Sequence, residues 1–248
     1  MRFTVLGSNA TYPTRGHPTS GYLVENEGRA VLLDLGSGTV AEAFDRIEVA
    51  DLEAAVVSHA HADHCADVAS LYFRLRFGPE DKRKIPLVAP DGVFDRLETF
   101  LTYEPGGQGF WETFADQRVD DGDQLDLIGA AWSFRRTDHP VPCVSTRIDG
   151  SNGALVYTSD TGPKVHLKTL ASGCAVLVAE ATFQGDDNLG TQHLTARMAG
   201  RIASEVQAGS LVLTHIRPDL NAADSVDEAA EEFDGHVVAA HPGMVIDF

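Results

Sequence analysis

The stretch Val56-Val57-Ser58-His59-Ala60-His61-Ala62-Asp63-His64 restricts what this chain can become more than any other segment. Three imidazoles and a carboxylate fall within six residues, directly after an apolar run and with no turn residue between. Such a run reads as a short buried strand, which holds the cluster on a rigid support. In extended backbone alternate side chains share a side, so His59 and His61 point to one place. A turn after His61 then sends Asp63 and His64 toward a second place nearby, and the alanines at 60 and 62 leave room for the crowding. Neutral imidazole and carboxylate are good ligands for borderline divalent metals. The competing reading, a solvated polar loop, does not account for so many ligand side chains at a strand end.

The rest of the chain alternates short apolar runs with helical segments. Strands are predicted over residues 2–6, 20–25, 30–34, 54–58 and 87–89, and again over 131–136, 146–148, 154–157, 176–180, 211–215 and 237–240. Helices are predicted over 39–47, 67–77 with Asp67 as cap, 92–100, 165–171, 194–208 and 224–233. Residues 102–109, with Pro105-Gly106-Gly107, read as a loop, as do Asp120-Asp121-Gly122-Asp123 and Gly150-Ser151-Asn152-Gly153. Phe110, Trp111 and Phe114 are expected to pack in the core in preference to forming a lid or dimer contact. This pattern implies sheets covered on their outer faces by helices, with ligands at the strand ends. The 248 residues suit one domain of two similar halves over 1–248.

Composition removes several function classes. No apolar run is long enough to span a bilayer, and Met1-Arg2-Phe3-Thr4-Val5-Leu6 reads as a first strand, not a signal peptide. Three cysteines, Cys65, Cys143 and Cys174, suggest free thiols in a reducing compartment, and a cytoplasmic protein is expected. Cys65 is expected to be a buried thiol, not a ligand. The net charge of −18 disfavours a general nucleic-acid binder. It does not exclude a phosphate ester, because two divalent cations bring about +4 locally.

On these residues the chain resembles the metallo-β-lactamase superfamily, whose signature His-x-His-x-Asp-His stands here as His59-Ala60-His61-Ala62-Asp63-His64. The resemblance extends to Asp34 in Leu32-Leu33-Asp34-Leu35-Gly36 and to His139 in Asp138-His139-Pro140-Val141. It also includes Asp160 in Tyr157-Thr158-Ser159-Asp160-Thr161-Gly162 and His215 in Leu213-Thr214-His215-Ile216. It implies an α/β (α+β) fold, a four-layer αββα sandwich with a dinuclear site at one edge of the sheets. It implies two divalent metal ions, zinc foremost, with manganese or iron as alternatives. His59, His61 and His139 would hold the first metal; Asp63, His64 and His215 the second; Asp160 would bridge them. Asp34 would brace a ligand imidazole from behind.

Two metals sharing a water make hydroxide available at neutral pH, which implies a hydrolase. His61 stands where a di-iron oxidoreductase of the fold carries glutamate, and Asp160 where some β-lactamases carry cysteine. The segments Ser145-Thr146-Arg147-Ile148, Glu180-Ala181-Thr182-Phe183 and His193-Leu194-Thr195-Ala196 resemble ribonuclease Z-like enzymes. That resemblance makes His193 the proton donor to the leaving oxygen or a phosphate contact, with Glu180 orienting it, so that Asp63, His193 and Glu180 form the catalytic set. His139 and Asp160 lie only 21 positions apart, too close for the long arm with which ribonuclease Z grips tRNA. The favoured substrate is therefore a small phosphodiester such as a cyclic nucleotide. The alternatives are RNA 3′ processing, hydrolysis of a lactone, ester or thioester, and a non-enzymatic metal-binding scaffold. Such hydrolases are often homodimers, which is an expectation here too. Arg147 is a candidate phosphate contact, the loop Gly7-Ser8-Asn9 a candidate approach to the site, and Arg15 with His17 a candidate rim.

Overall fold

The computed structural model describes residues 1–80, 82–102, 106–185 and 192–248. Residues 103–105 of the predicted 102–109 loop, Pro105 among them, lie outside the described residues. The first sheet contains β1 (Arg2–Gly7), β2 (Gly21–Asn26), β3 (Arg29–Leu35), β4 (Leu52–Val56), β5 (Ile85–Ala89) and β6 (Phe114–Arg118). The second contains β7 (Gln124–Leu127), β8 (Ala130–Arg136), β9 (Val144–Gly150), β10 (Gly153–Tyr157), β11 (Val176–Glu180), β12 (Ser210–Thr214) and β13 (His236–Ala239). A final strand, β14 (Val245–Asp247), returns to the first sheet. The orders are β14-β1-β2-β3-β4-β5-β6 and β13-β12-β11-β10-β9-β8-β7. The helices are α1 (Thr39–Phe44), α2 (Ala62–Cys65), α3 (Val68–Phe77), α4 (Val93–Thr102), α5 (Gln108–Thr113), α6 (Lys168–Ala171), α7 (Ala196–Val206) and α8 (Ala222–Ala230).

Strand alternation divides the apolar residues among three cores. Phe3, Val5, Tyr22, Val24, Val31 and Leu33 meet Trp132, Phe134, Ile148, Leu155 and Tyr157 between the two sheets. Their neighbours Leu23, Leu32 and Ala55 face the other way and pack under Val68, Leu71, Phe94 and Phe110. In the second sheet Val156, Leu177, Ala179 and Leu213 lie under Leu170, Ala199, Ala203 and Ala229. Both faces of the central strands are thus covered, which is why they read as unbroken apolar runs. The result is a four-layer αββα sandwich. Among the described residues, no helix is long and apolar enough to cross a membrane.

Phe110 and Phe114 are fully buried and Trp111 packs against the same cluster, so these aromatics are core. The turn at 121–122 and the Ser151-Asn152 turn between β9 and β10 fall where the sequence places them. Several boundaries differ. The strand expected over 54–58 ends at Val56, because the Ser58 amide turns away to a carboxylate. Helix α6 has one turn instead of the two expected from 165. Asp67 does not cap its own helix; its Oδ2 accepts from the amides of Gly38 (3.1 Å) and Val40 (2.8 Å) and so caps α1. Elements α5, β6, β7 and β14 were not expected. β6 and β7 carry mixed polar residues, and β14 is three residues long with Val245 exposed, so none shows an alternation long enough to read.

Candidate metal centre

The site forms at the carboxyl ends of β3, β4, β10 and β12, and left-handed backbone occurs at three of them. Asp34 (φ 53°), Ser159 (φ 55°) and His215 (φ 53°) all adopt it. Asp and His tolerate this region better than most residues, and a strained backbone at a strand end redirects the side chain out of the pleat. His61 is extended (φ −72°, ψ 146°) and α2 starts at Ala62, which supplies the turn that separates His59 and His61 from Asp63 and His64. Gly36 allows this turn to pack against β3: a Cβ there would lie 2.1 Å from the Asp63 carbonyl oxygen.

Two groups of ligand atoms result. His59, His61, His139 and Asp160 form one, and Asp63, His64 and His215 the other. In the first, His61 Nδ1 lies 3.0 Å from His59 Nε2 and 3.1 Å from His139 Nε2, and His59 Nε2 lies 3.5 Å from Asp160 Oδ2. In the second, His215 Nε2 lies 3.2 Å from Asp63 Oδ2, and the other oxygen of Asp160 lies 3.2 Å from His64 Nε2 and 3.6 Å from His215 Nε2. Asp160 therefore turns one oxygen to each group. A further grouping of Asp160, His193 and His215 also falls within ligand range of one ion.

Behind the ligands, hydrogen bonds set which nitrogen is bare. His64 Nδ1 donates to Asp34 Oδ2 at 2.8 Å. Ser58 Oγ donates to the same oxygen at 2.9 Å and accepts from His59 Nδ1 at 3.0 Å. The second half repeats the device: Thr182 Oγ1 donates to Glu180 Oε2 at 2.7 Å and accepts from His215 Nδ1 at 2.8 Å. His139 Nδ1 donates to the Gln192 carbonyl at 3.3 Å. Each Nε2 is left as a lone pair aimed inward, the state a metal requires. Asp34 is completed by the Ser58 amide (2.7 Å) and the Tyr157 hydroxyl (2.8 Å).

The donor set fits divalent cations. His64 Nε2 and Asp160 Oδ1 are buried without a hydrogen-bond partner among the described residues, which is rare for polar atoms unless an ion or a water meets them. Burial lowers His59 and His61 below the ordinary imidazole range and takes His139 to about 4, so all three are neutral at pH 7. Burial alone would raise Asp160, but His215, His64 and His59 around it hold it well below the usual carboxylate range. Burial opposes charge on His64 as well, yet Asp160 and Asp34 pull it upward, a demand for positive charge that a cation at Nε2 satisfies in place of a proton.

Beside the two groups, His193 Nδ1 is 3.1 Å from both oxygens of the buried Glu180 and 3.9 Å from Asp160 Oδ2. Burial pushes His193 down, and the hydrogen bond and charge of Glu180 outweigh it and raise it to about 9. The structure thus brings together the expected candidate ligands and catalytic residues: Asp34, His59, His61, Asp63, His64, His139, Asp160, Glu180, His193 and His215. It leaves out Arg147, which bonds Asp149 (2.9 Å) and the Leu170 carbonyl (2.9 Å) on the far side of its sheet. Residues not anticipated are Ser58, Thr182, Tyr157 and Thr11, whose amide donates to Asp63 Oδ2 at 2.9 Å. Ser58 and Thr182 lie within the singled-out segments, but their residue types alone do not distinguish them from ordinary strand-end hydroxyls. All three cysteines are free and buried, Cys65 included.

A profile described as "Beta-lactamase superfamily domain" matches residues 29–216. The chain is 31% identical over 250 residues to "Probable metallo-hydrolase YhfI" of Bacillus subtilis (strain 168), covering 99% of each. The crystal structure of that metallo-beta-lactamase fold protein superposes with a TM-score of 0.88 at 28% identity, covering 99% of this chain and 98% of the other. A "Ribonuclease Z" of Streptomyces avermitilis is 27% identical over 291 residues, covering 96% of this chain and 94% of that protein.

Proposed function

This chain belongs to the β-lactamase superfamily and is a metallo-hydrolase, and from that premise we propose that it cleaves a small phosphodiester, a cyclic nucleotide foremost, in the cytoplasm. In this reading two divalent ions, zinc first, are held by His59, His61 and His139 and by Asp63, His64 and His215, with Asp160 between them. When bound, such ions lower the pKa of water and polarise a phosphoryl oxygen.

The observation that carries the phosphodiester reading is His193. Its Nδ1 lies 3.1 Å from a buried carboxylate that favours the protonated imidazole, and it stands 3.9 Å from Asp160 Oδ2. An alkoxide is a poor leaving group, so a positioned proton donor matters most where one departs. Nδ1 faces Glu180, and in this reading the imidazolium gives a proton to the leaving oxygen. Glu180 is itself fixed by the Thr161 amide (2.6 Å) and the Thr182 hydroxyl (2.7 Å), so the donor is held by a rigid base. Asp34 and Glu180 each fix one imidazole through a hydroxyl, and the site needs little rearrangement to act.

The Ribonuclease Z relatives favour a second reading, RNA 3′ processing. Against it, the chain between His139 and Asp160 is filled by the β9–β10 hairpin, which turns at Ser151-Asn152 and extends no arm. A net charge of −18 also repels a polyanion. The test is turnover of 3′,5′-cyclic AMP, a precursor tRNA and a lactone by protein whose metal has been counted. Chelator-sensitive conversion of cyclic AMP to AMP is expected. Protein with two metals per chain that cleaves no phosphodiester would overturn the proposal, and preferential trimming of the tRNA would favour the second reading.

A further inference from the structure

A cavity of about 450 Å³ lies between the loop after β1, the segment after His215 and the end of β13, lined by none of the candidate ligands themselves. Strand directions place it at the same end of the molecule. β1 and β3 are both antiparallel to β2, so the residues after Gly7 lie at the end that carries Asp34. β13 is parallel to β12, so Ala239-Ala240-His241 lie at the end that carries His215. The β1 loop borders both sites, since the Ala10 amide donates to the Ile216 carbonyl (3.1 Å) while the Thr11 amide donates to Asp63. On the other flank the Arg217 guanidinium lies 5.9 Å from the Phe183 ring, whose centroid is 6.1 Å from that of His193.

The lining suits a neutral ring better than an anion. Ile216, Leu220 and Ala239 make it partly apolar. Arg217 is paired with both oxygens of Asp219, at 3.0 and 2.5 Å, which offsets its charge toward a second phosphate. Asn9 uses both amide hydrogens, on Thr14 Oγ1 (3.1 Å) and the His17 carbonyl (3.2 Å). Its orientation is thereby set, and its carbonyl oxygen remains to accept. An apolar wall with a few oriented polar atoms is the usual make-up of a small-molecule site, and the volume is in the range such sites occupy.

We propose that this cavity seats the heteroaromatic base of a nucleotide whose phosphodiester lies at the two His/Asp groups, with Asn9 Oδ1 accepting an N–H of the base. The assignment rests on the phosphodiesterase reading, but its test separates the two. Ala222, exposed at the start of α8, and His241, exposed on the opposite wall, both line the cavity. Ala222→Trp and His241→Trp fill it without disturbing a buried residue. Saturation-transfer NMR of the metal-loaded protein with adenosine should show binding, with ribose silent and the adenosine signal reduced at least tenfold in either variant. Each variant should raise KM for 3′,5′-cyclic AMP at least tenfold and that for base-free ribose 3′,5′-cyclic phosphate by less than twofold. No adenosine binding to the unsubstituted chain, equal binding by both variants, or equal KM effects on the two substrates would overturn the base site. Adenosine binding that the variants abolish, in a protein that hydrolyses no phosphodiester, would keep the site and overturn the proposed reaction.

Discussion

His59, His64, His139 and His215 turn Nε2 inward, and each commits Nδ1 to a protein acceptor: Ser58, Asp34, the Gln192 carbonyl and Thr182. Two of these acceptors are hydroxyls that pass the bond on to a buried carboxylate. Removing a partner behind a ligand costs metal affinity, commonly ~10–100-fold. Ser58→Ala should therefore weaken the ion at the His59 group and Thr182→Val the ion at the His215 group, read by chelator competition on each variant; unchanged affinity in both would show that the hydroxyls do not set the ligands. His193→Ala should leave the metal content unchanged and slow turnover by ~10²–10⁴-fold. Loss of a metal instead would place His193 among the ligands, as the grouping of Asp160, His193 and His215 allows. The imidazoles were readable in the sequence because His-x-His-x-Asp-His is local. The hydroxyls were not, because a serine or threonine at a strand end has many uses and only its neighbours in space select one.

Between elements, two tyrosines cross the gap between the sheets in opposite directions. Tyr157 of β10 donates to Asp34 of β3 at 2.8 Å, and Tyr22 of β2 meets Thr214 of β12 at 2.7 Å. Tyr157→Phe keeps the ring in the core and removes one donor from a buried carboxylate, which should cost about 1–3 kcal/mol in urea unfolding. No loss of stability would show that the remaining three donors satisfy Asp34. Asp67→Ala removes the cap of α1, not that of its own helix, and should cost about 0.5–2 kcal/mol, with exchange of the Gly38 and Val40 amides accelerated. Faster exchange confined to α3 would reverse the assignment. The sequence showed Asp67 as a capping residue at a helix start. It did not show that the Asp67 backbone is already helical (φ −82°, ψ 0°), which leaves its side chain to serve the neighbouring helix.

Across the whole molecule, the buried carboxylates Asp34, Asp160 and Glu180 come from both sheets and converge on one end. Cations that bind the native centre and not the unfolded chain add about 2.7 kcal/mol at a free concentration of 100 Kd. Chelation should accordingly lower the thermal midpoint, and added zinc should restore it; a midpoint indifferent to chelator would separate the centre from folding. The chain also closes on itself, with β14 paired to β1 and the Met1 and Phe248 backbones exchanging bonds at 3.0 Å. The order of residues was enough to show the alternating strands and the layered α/β plan and to point to the candidate ligands, because residue type and period are local properties. Packing decided which groups meet. Tyr157 reaches Asp34 across 123 positions and His215 reaches Asp63 across 152, pairings that depend on the two sheets facing each other and that no local pattern encodes.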